Sequence, residues 1–268
     1  MTKAFQKPSE AIEWTKKSML DFGFEVHTEK WQGIDSPDTM WEKFNHSFSF
    51  MIPEEIDDLV KEIKPNLPWA DDHFEERISG IPMNPPPSNE WWPFNQKKNK
   101  EFKKDEKFSH TYPERIWPKF GGDKFQKSLM SNSIEPVHSG IRYEYGDFDD
   151  VVRLLQKEPF TRQAFLPIWF PEDTGSAHGE RVPCTIGYHF IRRGDHLHVI
   201  YYIRSCDFIR HFRDDIYLAC RKVIWVLDKL KQMDHERWKD VKPGWYTMHI
   251  TSLHCFNKEK GLLKLKKT

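Results

Sequence analysis

The chain has 268 residues, which is enough for one large domain or for a core domain with insertions. Its 41 lysines and arginines balance 41 aspartates and glutamates, so no overall basic field indicates a nucleic-acid partner. The first residues lack the apolar run of a secretion signal and no segment approaches the ~20 apolar residues that cross a membrane, so we expect a cytoplasmic protein without a membrane partner.

Two helices are predicted in the first quarter of the chain. The first covers residues 8–22, where Ser9 is a suitable N-cap and apolar residues fall on one face. The second covers residues 53–63 and is closed by the proline two positions later. Residues 82–107 contain five prolines and then a lysine-rich run. We interpret them as a long ordered insertion or lid within one domain spanning residues 1–268, with an interdomain linker as the alternative.

The second half of the chain has the patterns of strands and helices together. Helices are predicted at residues 148–156 and 214–231, the latter with a continuous apolar face. Strands rich in β-branched and aromatic residues are predicted at 164–170, 185–192, 196–204 and 245–253. The four residues at 192–195 form a predicted hairpin turn. Helices packed around a mostly antiparallel sheet place the chain in the α+β class.

Cys184 is the candidate nucleophile. It follows a proline, and twenty residues later Arg204 and Ser205 precede Asp207. Arginine presents a fixed fork of donors that suits a phosphate, and a nearby cation favours thiolate over thiol. The alternative is a buried, inert cysteine, the usual state of a free thiol. The four cysteines, at positions 184, 206, 220 and 255, have neither CxxC nor zinc-site spacing, so we expect free thiols and no metal.

Several motifs together resemble those of the thymidylate synthases in order and spacing. They are residues 161–169, 183–184, 204–207 and 252–254. The resemblance spans about residues 66–256 and is specific from Arg162 onward. Within that superfamily, residues 211–217 and the Cys184-Thr185 pair are most similar to the phage deoxycytidylate hydroxymethylases. The resemblance implies a thymidylate synthase-like fold and a symmetric dimer formed across its sheet.

Asp215 is the residue expected to select the base. It lies eleven positions after Arg204, where thymidylate synthases have an asparagine that binds the uracil edge. An ionised aspartate only accepts hydrogen bonds, so it suits the 4-amino group of cytosine and repels O4 of uracil. A protonated aspartate could serve both the amino group and N3 of cytosine. The sequence therefore favours cytosine, with an exposed helix-terminal aspartate as the alternative.

The resemblance implies catalytic roles for four side chains. Cys184 would attack C6 of the pyrimidine and turn C5 into a carbon nucleophile. Glu76, with Glu75 as the alternative, would organise proton transfer near C5, and burial would raise its pKa. Tyr112 would support the nucleophile and Asp215 would bind the base. The alternatives are that both glutamates decorate an exposed helix and that Tyr112 is a core residue.

The same resemblance implies two groups of binding residues. Arg162 would reach the 5′-phosphate from the other subunit of a homodimer with shared active sites. Gln163 stands where most thymidylate synthases have a second arginine, and Phe256 replaces a sugar-binding tyrosine, so the second phosphate contact and the sugar preference stay open. The folate-binding residues are Trp92 and Asp207. The nucleotide-binding residues are Arg162, Arg204, Ser205, Asp215 and His254.

The implied activity is a folate-dependent one-carbon transfer to C5 of a pyrimidine nucleotide. Either dCMP or CMP would react with 5,10-methylenetetrahydrofolate and water to give the 5-hydroxymethyl nucleotide and tetrahydrofolate. The alternatives are a thymidylate synthase acting on dUMP, a C5-methylase acting on dCMP, and an inactive relative that binds a nucleotide or RNA. A phage enzyme of this kind would work in the cytoplasm of the infected host. Residues 261–268 differ from the C-terminal tail of thymidylate synthases, so the sequence predicts no mode of closure over folate.

Overall fold

The computed structural model describes residues 2–31, 34–35, 39–94, 102–120, 146–178 and 181–263. Its strands are β1 (Lys3–Phe5), β2 (Phe24–His27), β3 (Lys30–Trp31), β4 (Ile34–Asp35), β5 (Thr39–Met51), β6 (Lys103–Lys104), β7 (Lys107–Phe108), β8 (Phe165–Pro167), β9 (Thr185–Arg193), β10 (His196–Asp207) and β11 (Lys242–Phe256). Its helices are α1 (Pro8–Phe22), α2 (Ile56–Ile63), α3 (Trp69–Ile78), α4 (Tyr112–Ile116), α5 (Phe148–Lys157), α6 (Phe212–Met233) and α7 (His235–Trp238). Short 3₁₀ segments cover Pro87–Trp91, Pro118–Phe120, Pro171–His178 and Asn257–Leu263.

Among the described residues, seven strands form one sheet at the centre of the fold. Its order is β1-β5-β11-β10-β9-β8, and β2 pairs with the start of β5. The pairs β2–β5, β5–β11, β9–β10 and β8–β9 are antiparallel, whereas β1–β5 and β10–β11 are parallel. Helices and a mostly antiparallel sheet in one architecture confirm the predicted α+β class.

The two faces of the central sheet differ in burial. On β10, the alternate residues Leu197, Val199, Tyr201 and Ile203 are at most 1% exposed and belong to the core that includes α6. Each such side chain contributes roughly 1.5–3 kcal/mol by its burial, so this layer fixes the position of α6 on the sheet. The other face, which we call the open face, is half-exposed and includes His198, Ile200, Tyr202, Thr247 and His249.

The sheet register brings the separate sequence motifs to one end of the fold. In the parallel pair of β10 and β11, Ser205 lies opposite Ser252 and Asp207 lies opposite His254. Cys184 directly precedes β9. The first residue of β9, Thr185, lies opposite Ile203 of β10, close to the C-terminal end of that strand. Because α6 begins five residues after β10 ends, its first turn lies at the same end.

Several predicted boundaries differ from the structure. The helix at 8–22 has the predicted bounds, but Ser9 is not its N-cap, because the cap is Lys7 and the Ser9 hydroxyl instead binds Glu62 of α2. The second helix begins three residues late, at Ile56. The strand predicted at 164–170 shortens to β8, whereas β9, β10, α6 and β11 extend beyond their predicted ends.

The proline-rich insertion contains ordered segments on both sides of residues 95–101, which lie outside the described residues. Asn84 connects the two sides, since its side chain donates to the carbonyl of Phe108 at 2.8 Å and accepts from its amide at 2.9 Å. Trp69 of α3 donates from Nε1 to the carbonyl of Ser88 at 2.9 Å. These contacts hold the 3₁₀ segment Pro87–Trp91 against α3. Within the described part of the chain, no helix is both long and apolar enough to span a bilayer.

Candidate active site

A cavity of about 440 Å³ lies beside the C-terminal ends of β10 and β11. It is lined by eight of the residues singled out in the sequence: Trp92, Tyr112, Cys184, Arg204, Ser205, Asp207, Asp215 and His254. Glu76 and Arg162 do not line it. The separate motifs of the sequence therefore converge on one site of a size that suits a small organic ligand.

Cys184 is half-buried at this cavity, directly before β9. Burial raises the pKa of its thiol above the ordinary value, and the positive charges of Arg204 and Arg181 oppose that effect only in part. The negative charges of Asp215 and Asp207 raise it further. Arg204 thus favours the thiolate, as expected, but the effect of burial on the pKa of Cys184 is larger and favours the thiol.

Arg204 is anchored on the loop that carries Cys184. Its Nε donates to the carbonyl of Pro183 at 2.9 Å, and its Nη2 donates to the carbonyl of Val182 at 3.1 Å. The guanidinium also lies 5.4 Å from the ring centre of Trp169. Because arginine has five N–H donors, these bonds fix the side chain and leave further donors for an anion in the cavity.

Asp215 faces the cavity from the first turn of α6. Burial raises the pKa of its carboxyl to about 7, against the opposing positive charge of Arg77. Its Oδ2 lies 3.7 Å from Sγ of Cys206. The neighbouring Asp214 has a different environment, because both of its oxygens accept hydrogen bonds from Asn66 at 2.8 Å. Near neutral pH Asp215 can therefore be either an acceptor or a donor, whereas Asp214 holds the connection to α3.

Glu76 is buried one layer behind the cavity wall, whereas Glu75 is exposed and pairs with Arg221. The Glu76 carboxylate accepts hydrogen bonds from the amide and hydroxyl of Ser88 and from Nδ1 of His73. Burial acts to raise the pKa of Glu76, but these hydrogen bonds outweigh it and hold the pKa below the ordinary value. The expected raised pKa is wrong, because a carboxylate with several donors is stabilised in its charged form.

Tyr112 belongs to a chain of hydroxyl groups beneath the cavity. Its hydroxyl lies 3.1 Å from Oγ1 of Thr185, which lies 2.8 Å from the hydroxyl of Tyr201. Burial raises the pKa of Tyr112 well above its ordinary value, so the phenol keeps its proton. Because Thr185 directly follows Cys184, this chain connects the phenol to the backbone of the candidate nucleophile.

Trp92 and Asp207 both line the cavity, and both contact residues of the turn between β10 and α6. The Trp92 ring stacks on His211 with centroids 4.9 Å apart and planes 12° apart. The Asp207 carboxylate accepts from the amides of Ile209 and Arg210 at 2.9 and 3.0 Å and from Nη1 of Arg210 at 2.8 Å. Through these hydrogen bonds Asp207 stabilises the turn that leads into α6, so it has a structural role in addition to lining the cavity.

His254 lines the cavity from the end of β11, but Phe256 does not. Nδ1 of His254 lies 3.4 Å from Oγ of Ser252, which also binds the carboxylate of Glu42. Phe256 is 6% exposed and packs under the guanidinium of Arg210 at 4.7 Å. In this fold its ring is part of the packing beside the cavity.

Arg162 is exposed and lies outside the cavity of its own chain. Its carbonyl accepts a hydrogen bond from Nε2 of His189 at 3.0 Å, which places it next to the antiparallel pair of β8 and β9. Gln163 is exposed beside it. Among the described residues of one subunit, neither side chain lines the cavity that contains Cys184.

Several residues of the cavity lining were not singled out in the sequence, and His73, Arg77 and Arg181 are the basic side chains among them that this site depends on. Arg77 directly follows Glu76, and Arg181 precedes Cys184 by three residues, so both were adjacent to motifs already selected. An isolated arginine carries no burial signal in sequence, since most arginines are exposed. In the part of the chain that the structure describes, no cluster of three His, Cys, Asp or Glu side chains could hold a metal ion.

Comparison with known proteins identifies the fold. No protein-family model and no curated protein sequence matches the chain. The structure superposes on the thermostable thymidylate synthase A from Bacillus subtilis with a TM-score of 0.63, over 96% of this chain and 83% of that one. The chain has the thymidylate synthase fold. The two sequences are 14% identical, so the shared thymidylate synthase fold is what this likeness establishes.

Proposed function

We propose that the protein is a folate-dependent C5 hydroxymethyltransferase of cytosine nucleotides, related in activity to the phage deoxycytidylate hydroxymethylases. The supporting observation is that Cys184 and Asp215 face one cavity, with Arg204 and Ser205 on the same wall. A nucleophile, a base-recognising carboxyl and a cation for the phosphate are the three groups that such a reaction needs from one chain.

The nucleotide lies with its 5′-phosphate at Arg204 and Ser205 and with its ribose beside His254. Anchored guanidinium groups suit phosphate because their donors are already oriented. This position presents C6 of the base to Cys184. The thiol of Cys184 loses its proton as it adds to C6, and the phosphate-binding Arg204 is the cation that favours this step.

Asp215 binds the base at its 4-position. At pH values above its pKa of about 7 the carboxylate accepts a hydrogen bond from the 4-amino group of cytosine. With uracil, the same carboxylate would face O4, and no hydrogen bond can form because both groups are acceptors. A buried, unmatched pair of this kind costs about 1–3 kcal/mol, which favours dCMP or CMP over dUMP.

The cavity wall next to Asp207 has the features of a site for the flat ring of folate. Trp92 and His211 form a stacked aromatic surface, and Nε1 of Trp92 is buried without a hydrogen-bond partner among the described residues. Bound there, 5,10-methylenetetrahydrofolate supplies the one-carbon unit. C5 attacks that unit, and loss of the C5 proton and of tetrahydrofolate leaves an exocyclic methylene on the base. Water adds to this methylene and Cys184 leaves C6, which gives the hydroxymethyl product. Tyr112 and the Glu76–His73 pair hold water and protons near C5 during these steps.

The functional unit in this proposal is a homodimer formed across the open face. That face carries aromatic and apolar side chains such as Ile200 and Tyr202, which are half-exposed in one subunit. The exposed Arg162 lies next to this face and away from its own cavity, as expected of a residue that serves the partner's phosphate site. Only one cation would come from this segment, because Gln163 follows it.

Nucleotide-dependent thermal stabilisation tests the proposal without requiring turnover. A ligand that binds only the native state at 100 times its Kd stabilises it by about 2.7 kcal/mol. We expect dCMP or CMP to raise the melting temperature more than dUMP does, and inorganic phosphate alone to raise it little. If no pyrimidine monophosphate stabilises the protein, the cavity is not a nucleotide site and the proposal is wrong.

A further inference from the structure

Arg77 is a buried cation that forms no ion pair with any carboxylate in the described part of the chain. It is 3% exposed, and its Nε has no hydrogen-bond partner among the described residues. Three other shielded arginines form ion pairs: Arg115 with Asp173, Arg210 with Asp207, and Arg221 with Asp71. Removing an unpaired cation from water costs several kcal/mol. A site that retains such a cation at the wall of a cavity is prepared for an acceptor that arrives with the ligand.

Neighbouring groups fix the direction of the Arg77 side chain. Its Nη2 donates to Nε2 of His73 at 3.0 Å, and its guanidinium carbon lies 4.0 Å from the ring centre of Tyr112. Because arginine only donates, Nε2 of His73 must be the acceptor and its Nδ1 must carry the proton. Two acceptors lie within reach of that proton, a carboxylate oxygen of Glu76 at 3.1 Å and Oγ of Ser88 at 3.0 Å, and Ser88 is itself bound to Glu76.

The Glu76–His73 pair therefore also acts on Arg77, in addition to its proposed role near C5. Burial and the charge of Arg77 lower the pKa of His73 to about 4, so the imidazole stays neutral and continues to accept from the guanidinium. Ser88 holds Glu76 in turn through its amide and hydroxyl. This sequence of contacts leads from the 3₁₀ segment of the insertion to the cavity wall.

Arg77 and Asp215 line the same cavity, and the charge of Arg77 is the largest influence that opposes burial at Asp215. A fixed donor thus lines the same cavity as Asp215, the residue that the proposed function assigns to the base. The edge of cytosine offers the complementary pair, since its 4-amino group donates and its N3 accepts. With a separate donor for N3, Asp215 does not need to be protonated to satisfy both groups.

We infer that Arg77 recognises the base together with Asp215, donating a hydrogen bond to N3 of the bound cytosine nucleotide while Asp215 accepts from the 4-amino group. Glu76 and His73 are positioning residues for Arg77. This inference rests on the proposed function, because it assumes that the cavity binds a cytosine nucleotide.

The test compares the affinities of dCMP and 3-deaza-dCMP, which lacks the N3 acceptor, by calorimetry at about pH 8, where Asp215 is ionised. The wild type should bind 3-deaza-dCMP about 10- to 100-fold more weakly, the range of a hydrogen bond from a charged donor. The readout is the ratio of the Kd for 3-deaza-dCMP to the Kd for dCMP. In Arg77→Met this ratio should fall to about 1, because the donor that distinguishes the two nucleotides is gone. A structural role for Arg77 would weaken both ligands equally and leave the ratio unchanged, which would overturn the inference.

Matched variants make the comparison decisive. Arg221→Met is the same substitution at an arginine that packs over Phe74 outside the cavity, and it should keep the wild-type ratio. Glu76→Gln should lower the ratio partly, since the amide weakens the hold on His73. If Arg77→Met does not fold, the wild type alone decides: equal binding of dCMP and 3-deaza-dCMP refutes the inference. If the wild type binds neither, the proposed function has failed instead.

Discussion

Under the proposed function, replacing Asp215 by asparagine should move the substrate preference from dCMP toward dUMP. For dCMP, a hydrogen bond to a charged acceptor, about 1.5–3 kcal/mol, becomes a neutral one of about 0.5–1.5 kcal/mol. For dUMP, the amide removes a buried acceptor–acceptor contact that costs about 1–3 kcal/mol. Together these changes shift the ratio of kcat/KM for dCMP over dUMP by about 2–4 kcal/mol, or roughly 30- to 1,000-fold.

The pH dependence of this preference provides a second readout. Because burial raises the pKa of Asp215 to about 7, the carboxylate that rejects uracil is present above that pH. Below it the protonated carboxyl can donate to O4, so the preference of the wild type for dCMP should decrease as the pH falls through 7. Asp215→Asn has no group to titrate there, so its preference should not depend on pH in this range.

The assay is kcat/KM for dCMP and for dUMP, measured separately between about pH 6 and about pH 8.5. Asp214→Asn is the matched control, because its carboxylate lies next in sequence but is held by Asn66. That control should lose stability without changing the substrate ratio. An unchanged ratio for Asp215→Asn at the upper pH would show that another residue recognises the base.

Three further predictions concern the nucleophile, the dimer and the core. Cys184→Ser should abolish release of tritium from C5 of labelled dCMP and keep nucleotide binding in calorimetry; continued release would require another nucleophile. Arg162→Ala should weaken phosphate binding, and mixing it with Cys184→Ser subunits should restore about a quarter of wild-type activity, since half of the dimers are mixed and each has one complete site. No restoration would place Arg162 outside the partner's site. Lys222→Met should raise the free energy of unfolding by about 1–3 kcal/mol in urea, because Lys222 is fully buried and burial lowers its pKa well below the ordinary value. A destabilised variant would show that the ammonium group is needed for the fold.

The sequence predicted the elements whose patterns are local and regular. The apolar face of α6 and the alternation in β9 and β10 lie within single segments, so their periodicity identified them. The thirteen-residue β5 was missed, although it lies between β1 and β11 in the sheet. Its alternation breaks at Asn45, which has a φ of 50°, so that Phe44 is exposed while His46 is buried. A local interruption of this kind weakens the alternation without leaving a composition signal.

The candidate site was predictable where its residues belong to motifs, and was not predictable where it depends on packing. The pairing of β10 with both β9 and β11 brings together motifs that had been recognised separately, including Cys184 and His254. Arg77 gave no signal because its burial depends on how α3 docks against the insertion. Glu75 and Glu76 are adjacent in sequence, and the 100° turn between helical neighbours determines which one is buried.

The most direct test of the proposed activity is a product analysis. The protein is incubated with 5,10-methylenetetrahydrofolate and, in separate reactions, with dCMP, CMP and dUMP, and the nucleotides are analysed by mass spectrometry. If the proposed hydroxymethyl transfer occurs, a cytosine nucleotide gains one CH2O unit in a reaction that requires Cys184. A gain of CH2 would instead mean methyl transfer, and reaction of dUMP alone would contradict the assignment of Asp215 as the residue that selects cytosine.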